Sequence, residues 1–108
     1  ENKLLKGLEI GNSGITSAIC NVTAPLARKV FDDFENKIEQ TQNEKLVAVR
    51  NVFDGYNLIS ALHSYMSTKE ENFKNLLPPL VTLNSKEKKD LIKKLNDLKF
   101  EIKNNLAA

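Results

Sequence analysis

Tryptophan is missing from this chain, and cysteine, histidine and methionine occur once each. With Cys20 alone, no disulfide can close within the chain, and a reducing cytoplasm is the expected setting. Cys20 has no companion base in the sequence and reads as a small packing residue. His63 stands without a cysteine or carboxylate cluster at metal-ligand spacing, so no metal or cofactor is expected and the ring reads as structural or surface. No apolar run is long enough to cross a bilayer, and the opening Glu1-Asn2-Lys3 has none of the pattern of a signal peptide. No membrane partner is expected. Charge of one sign is also scarce: 16 basic against 14 acidic residues leave a net charge of +2, too little to argue for nucleic acid.

What is present suits one small domain or one piece of a larger protein, since 41% of the 108 residues are apolar and 28% charged. The basic excess lies in the tail, where Lys86, Lys88, Lys89, Lys93, Lys94, Lys99 and Lys103 are interrupted by Glu87, Asp90, Asp97 and Glu101. Mixed signs of this kind mark a solvated helix face. Asp32, Asp33 and Glu35 read as solvated too, and Tyr56 and Tyr65 as packing residues with wet hydroxyls. The terminal Ala107-Ala108 has the look of a vector-derived tail.

Along the chain, the stretch around Leu8 to Ile15 sets β-branched residues between Gly11 and Gly14, which predicts a loop plus a short strand. Thr23 as cap and Pro25 in the first turn predict a helix from about residue 24, with Leu26, Val30, Phe34 and Ile38 on its buried face. A second apolar series, Leu46, Val49, Phe53 and Tyr56, reaches Gly55, where a break is expected before a helix carrying Leu58, Ile59, Leu62 and Met66. Pro78 and Pro79 predict an extended connector. Asn84 or Ser85 then caps a last helix with Leu91, Leu95, Leu98 and Ile102 as its stripe. One strand cannot satisfy its own backbone, so the predicted strand calls for partners supplied from elsewhere.

Gly11, Gly14, Ile15, Ser17, Asn21 and Val22, followed by an amphipathic helix, and Pro78, Pro79, Leu80 and Leu83 before a terminal one, match two motifs in order. On these the chain resembles the carboxyl-terminal end of the dihydrodipicolinate synthase and N-acetylneuraminate lyase family, class I aldolases that bind pyruvate as a lysine imine. The resemblance implies an α/β protein: residues 1–39 would supply the last strand and helix of a (β/α)₈ TIM barrel, and residues 40–106 a three-helix accessory domain, with residues 107–108 as tail. The chain by itself would be mostly α. It further implies that Gly14, Ile15, Thr16 and Ser17 line the substrate pocket, while the imine lysine and catalytic tyrosine lie on earlier strands, leaving no catalytic residue here.

Partners implied by the resemblance are pyruvate, an aldehyde, the preceding barrel portion and further copies in a homotetramer. Ala18 stands where sialic-acid lyases use a serine, which argues against a sialic-acid substrate. Asn57 to Leu62 reads Asn-Leu-Ile-Ser-Ala-Leu where the synthases carry Asn-Pro-Ile-Pro-Val-Lys, so a 2-keto-3-deoxy sugar-acid aldolase stays open as an alternative. A stand-alone helical interaction module without enzymatic activity is the other.

Overall fold

In the computed structural model, which describes residues 1–102, the segment read as loop and strand opens instead with helix α1, Leu4–Glu9. Leu4 and Leu8, one helical turn apart, are both buried and give α1 its inner face. Gly11 ends the turn at φ +100°, a conformation costly for any residue with a side chain, and the Asn12 amide donates to the Gly7 carbonyl at 2.9 Å. Residues 12–17 then follow with no regular structure, and no strand forms among the described residues. The reason is elementary: an extended segment with no neighbour gains no ladder hydrogen bonds, so nothing holds it as a strand. Ile10 and Ile15 are left exposed, while Ile19 is fully buried.

Helix α2 spans Cys20–Glu35, starting four residues before the expected position. Thr23 is therefore no cap. It lies buried within the helix, and its hydroxyl donates back to the Ile19 carbonyl at 3.1 Å. Pro25 is interior as well, and withholds a hydrogen bond from the carbonyl four residues earlier, Asn21, which is exposed and open to water. Ala27 and Val30 pack with Leu4, Leu8 and Leu46 in one core, and Leu26, Phe31 and Phe34 cover its edge. Ile38, placed on the stripe by its spacing, falls past the helix end and is exposed.

Two of the helices close through the same hydrogen-bond pair. After α2 the Ile38 amide donates to Asp33 and the Lys37 amide to Phe34, with Lys37 at φ 55°. After α5, Ser85–Asp97, the Phe100 amide donates to Leu95 and the Lys99 amide to Asn96, with Lys99 at φ 54°. This is the Schellman arrangement, made here with lysine where glycine is the usual occupant. It stops α5 short of the Ile102 that the periodicity included. Ile102 is buried all the same, as is Phe100.

Helix α3, Asn43–Asp54, ends at Gly55, and α4, Leu58–Met66, begins after Asn57, whose side chain accepts from the Ser60 amide at 3.1 Å. The break therefore falls where glycine predicted it. The inner face of α4 is formed by Ala61, Leu62 and Tyr65, rotated from the expected one, and Ile59 is exposed. A short 3₁₀ turn, Glu71–Lys74, and an irregular connector lead to α5, whose first turn is capped by Asn84 accepting from the Glu87 amide at 2.8 Å.

Contacts divide the chain into two compact units, one running from Glu1 to Asn51 and the other starting at Val52, so the division falls inside α3. The expected boundary after residue 39 falls in the connector between α2 and α3. In the second unit Phe53 meets Tyr65 edge to face at 6.2 Å, Tyr65 lies 5.9 Å from Phe100, and Leu91 and Leu95 are fully buried. The described residues are thus mostly α. Lys103 and the Ala107-Ala108 tail lie outside them.

Candidate functional site

Gly14, Ile15, Thr16 and Ser17 occupy the irregular stretch that leads into α2. The first three are exposed and Ser17 is half-buried. Gly14 sits at φ +159°, a conformation that residues with a side chain rarely adopt, and nothing lies within 4 Å of where a Cβ would stand. The backbone at this position is open on the side where a ligand or another strand would approach.

Ser17 is fixed from below. Its hydroxyl donates to Oε1 of Glu1, whose side chain is fully buried, and the Cys20 thiol donates to the same oxygen at 3.5 Å. The other carboxylate oxygen takes the Arg50 guanidinium at 3.3 Å. Three donors from three parts of the first unit converge on one carboxylate, which satisfies a charge that would otherwise be costly to bury. Burial and, after it, the adjacent Glu1 charge push the Cys20 thiol above its ordinary range. A raised pKa leaves less thiolate at neutral pH and so makes the thiol a weaker nucleophile there, in keeping with its reading as a packing residue.

A second titratable cluster lies on the second unit. The Tyr56 hydroxyl donates to Asp90, and the Lys94 ammonium sits 2.9 Å from the same carboxylate and 3.4 Å from the phenol oxygen. The Tyr56 hydroxyl bond and then Lys94 lower Asp90, while Asp90 and then Tyr56 raise Lys94. Burial and then Asp90 raise Tyr56. Each shift holds the proton where it already is, so this cluster has the stability of an ion-paired surface and not the poise of an acid-base pair. An imine-forming amine needs a lowered pKa, and Lys94 has the reverse.

His63 presents Nδ1 to the Phe73 carbonyl at 2.9 Å and packs its ring against Phe73, a structural role. Tyr65 departs from the expected wet hydroxyl: its oxygen accepts the Ile102 amide at 3.0 Å inside the core. Asp33 departs further. Its side chain is fully buried, accepting from the Thr41 amide at 3.0 Å and hydroxyl at 2.8 Å and pairing with Lys29 at 2.9 Å. Lys29 first, and the Thr41 hydroxyl next, hold Asp33 below the usual carboxylate range. Asp32 is half-buried beside Arg28, and only Glu35 is fully solvated as expected.

Among the described residues no three histidine, cysteine or acidic side chains gather as metal ligands, and no helix is long and apolar enough to cross a membrane. An open groove on the first unit is floored by Leu5, Phe34 and Ile38 and edged by Glu9 and Glu35. Glu1 is the site residue that the sequence reading missed, because a lone acidic residue sixteen positions before Ser17 carries no local signal. No protein family, curated protein or solved structure matches this chain.

Proposed function

We propose that this chain is the carboxyl-terminal part of a pyruvate-dependent class I aldolase or synthase, and that Gly14, Ile15, Thr16 and Ser17 line its substrate pocket. The observation that carries this reading is the order α1, irregular glycine segment, α2, with Ile10 and Ile15 exposed. A (β/α)₈ barrel alternates strand and helix, so its last strand has a helix on each side and takes its hydrogen bonds from neighbours supplied by the rest of the barrel. Here a helix lies on each side of the segment, which has no strand neighbour among the described residues. The two sequence motifs support the same reading.

In that enzyme the imine lysine and the proton-shuttling tyrosine come from preceding strands, and the enamine formed from pyruvate attacks an aldehyde. This chain's part is to shape the pocket wall and, through the accessory helices, to join copies into a homotetramer in the cytoplasm. A second reading, a helical module that acts by binding, is favoured by one fact: the core of Leu4, Leu8, Ala27, Val30 and Leu46 closes without any barrel.

Reductive trapping separates the two. The native polypeptide that carries this sequence is incubated with pyruvate and borohydride and then digested for mass spectrometry. The aldolase reading expects one modified lysine, outside residues 1–108. A polypeptide that takes up no pyruvate, or one modified within these residues, overturns it. Gly14→Val in the same polypeptide should lower kcat/KM by at least about tenfold, measured per folded enzyme, since the side chain enters the open space beside the segment; at φ +159° it also strains the backbone by about 1–3 kcal/mol, which denaturation reads separately.

A further inference from the structure

Ser17 offers one proton and two lone pairs. Its proton is already engaged by the buried Glu1 carboxylate, so its oxygen has only acceptor capacity left for a ligand. Glu1 is itself held from two further directions, by the Arg50 guanidinium on one oxygen and the Cys20 thiol on the other. A carboxylate tied to α2 and α3 in this way gives the irregular segment an anchor that its own backbone does not supply. From Ser13 through Ile19 the described backbone amides make no backbone hydrogen bonds of their own.

We propose that Glu1 is a positioning residue for the segment Gly14–Ser17, holding the Ser17 hydroxyl turned inward so that it meets a ligand as an acceptor. The ligand group complementary to it is a hydrogen-bond donor, a hydroxyl or an ammonium, which suits the hydroxyl of an aldehyde partner and not the carboxylate of pyruvate. The inference rests on the aldolase reading for its substrate, but the anchor itself does not.

Two measurements test it on the full polypeptide. In the first, Glu1→Ala, Ser17→Ala and the double variant are compared for KM and kcat toward glyceraldehyde, an aldehyde that carries hydroxyl donors, at saturating pyruvate. Glu1→Ala and Ser17→Ala should each raise KM by about two- to tenfold, the range expected for one hydrogen bond, with kcat little changed. The double variant should be no worse than Ser17→Ala, because Glu1 acts through Ser17. Glu1→Gln, which keeps an acceptor oxygen, should recover most of the loss. Additive effects, or a Glu1→Ala loss that persists undiminished without the Ser17 hydroxyl, overturn the proposal.

In the second measurement, Cys20 reports on the anchor without any substrate. The Glu1 carboxylate, the Glu1 α-amino group and Thr23 act on the thiol, and Ser17 and Arg50 bind the same carboxylate; of these the Glu1 carboxylate is the anion. Glu1→Gln should move the midpoint of Cys20 alkylation by iodoacetamide to lower pH, and Ser17→Ala should not. An unchanged midpoint in Glu1→Gln shows that the carboxylate does not sit at this position and overturns the proposal. Failure of pyruvate trapping sinks the aldolase reading alone, and the Cys20 measurement then decides for or against the anchor.

Discussion

Lys37 and Lys99 hold the left-handed position that closes a helix, where a side chain costs roughly 1 kcal/mol that glycine avoids. Lys37→Gly and Lys99→Gly should therefore each raise stability by about 0.5–1 kcal/mol, read from the urea midpoint at unchanged slope. Asp33 makes a pH-dependent contribution. Its folded pKa is depressed, so its stabilisation is complete above the unfolded carboxyl value near 4 and is lost as pH falls through the lower folded value. The gap in urea midpoint between the native protein and Asp33→Asn should be wide at about pH 7 and shrink toward about pH 2. A gap that widens on acidification would contradict the pairing with Lys29 and Thr41. At this scale the sequence was partly readable. Asn84 as a cap and Cys20 as a packing residue follow from residue type and neighbours, whereas the burial of Asp33 depends on Thr41 returning to it across a loop, which no periodicity records.

Helices were the most legible elements, because apolar spacing and caps are local. Gly55 and the proline pair interrupt them where backbone chemistry requires it. The start of α2 was misplaced because Thr23 and Pro25 carry a start signal, yet Val22 and Ile19 extend the buried face one turn earlier, and their burial outweighs the poor fit of an interior proline. The polar side of α4 was unreadable for a different reason. Ser64 is fully buried, and its hydroxyl accepts the Leu83 amide at 2.8 Å, while Ser67 accepts the Lys88 ammonium at 2.9 Å. These serines fasten the connector and the first turn of α5 to α4, and a serine looks the same in sequence whether it faces water or a distant amide. Ser64→Ala leaves the Leu83 amide without that partner and should cost about 1–3 kcal/mol in chemical denaturation. Ser67→Ala, whose lysine can turn to water, should cost less than about 1 kcal/mol.

For the molecule as a whole, the mostly α character was evident from the sum of the helical stripes, and the irregular stretch at residues 12–17 in part from its glycines and small residues. Glu1 was invisible there, since its partners are spread over almost the whole first unit. Hydrogen exchange compares the isolated chain with a longer polypeptide that carries it. In the isolated chain the amides of Ser13 through Ser17, which lack backbone partners, should exchange at nearly the rate of an unfolded peptide. In the longer polypeptide the aldolase reading expects them to be protected by at least about a hundredfold, as strand amides with global stability are. Equal exchange in both would favour the helical module. The buried Tyr65 has a use of another kind. With no tryptophan and two tyrosines in the chain, ultraviolet emission comes from two rings, and Tyr56→Phe leaves one of them. That ring is wedged between Phe53 and Phe100 and bound to the amide of Ile102, so its fluorescence becomes a native optical gauge of whether the second unit is closed. Stopped-flow emission can then time that closure with no dye attached.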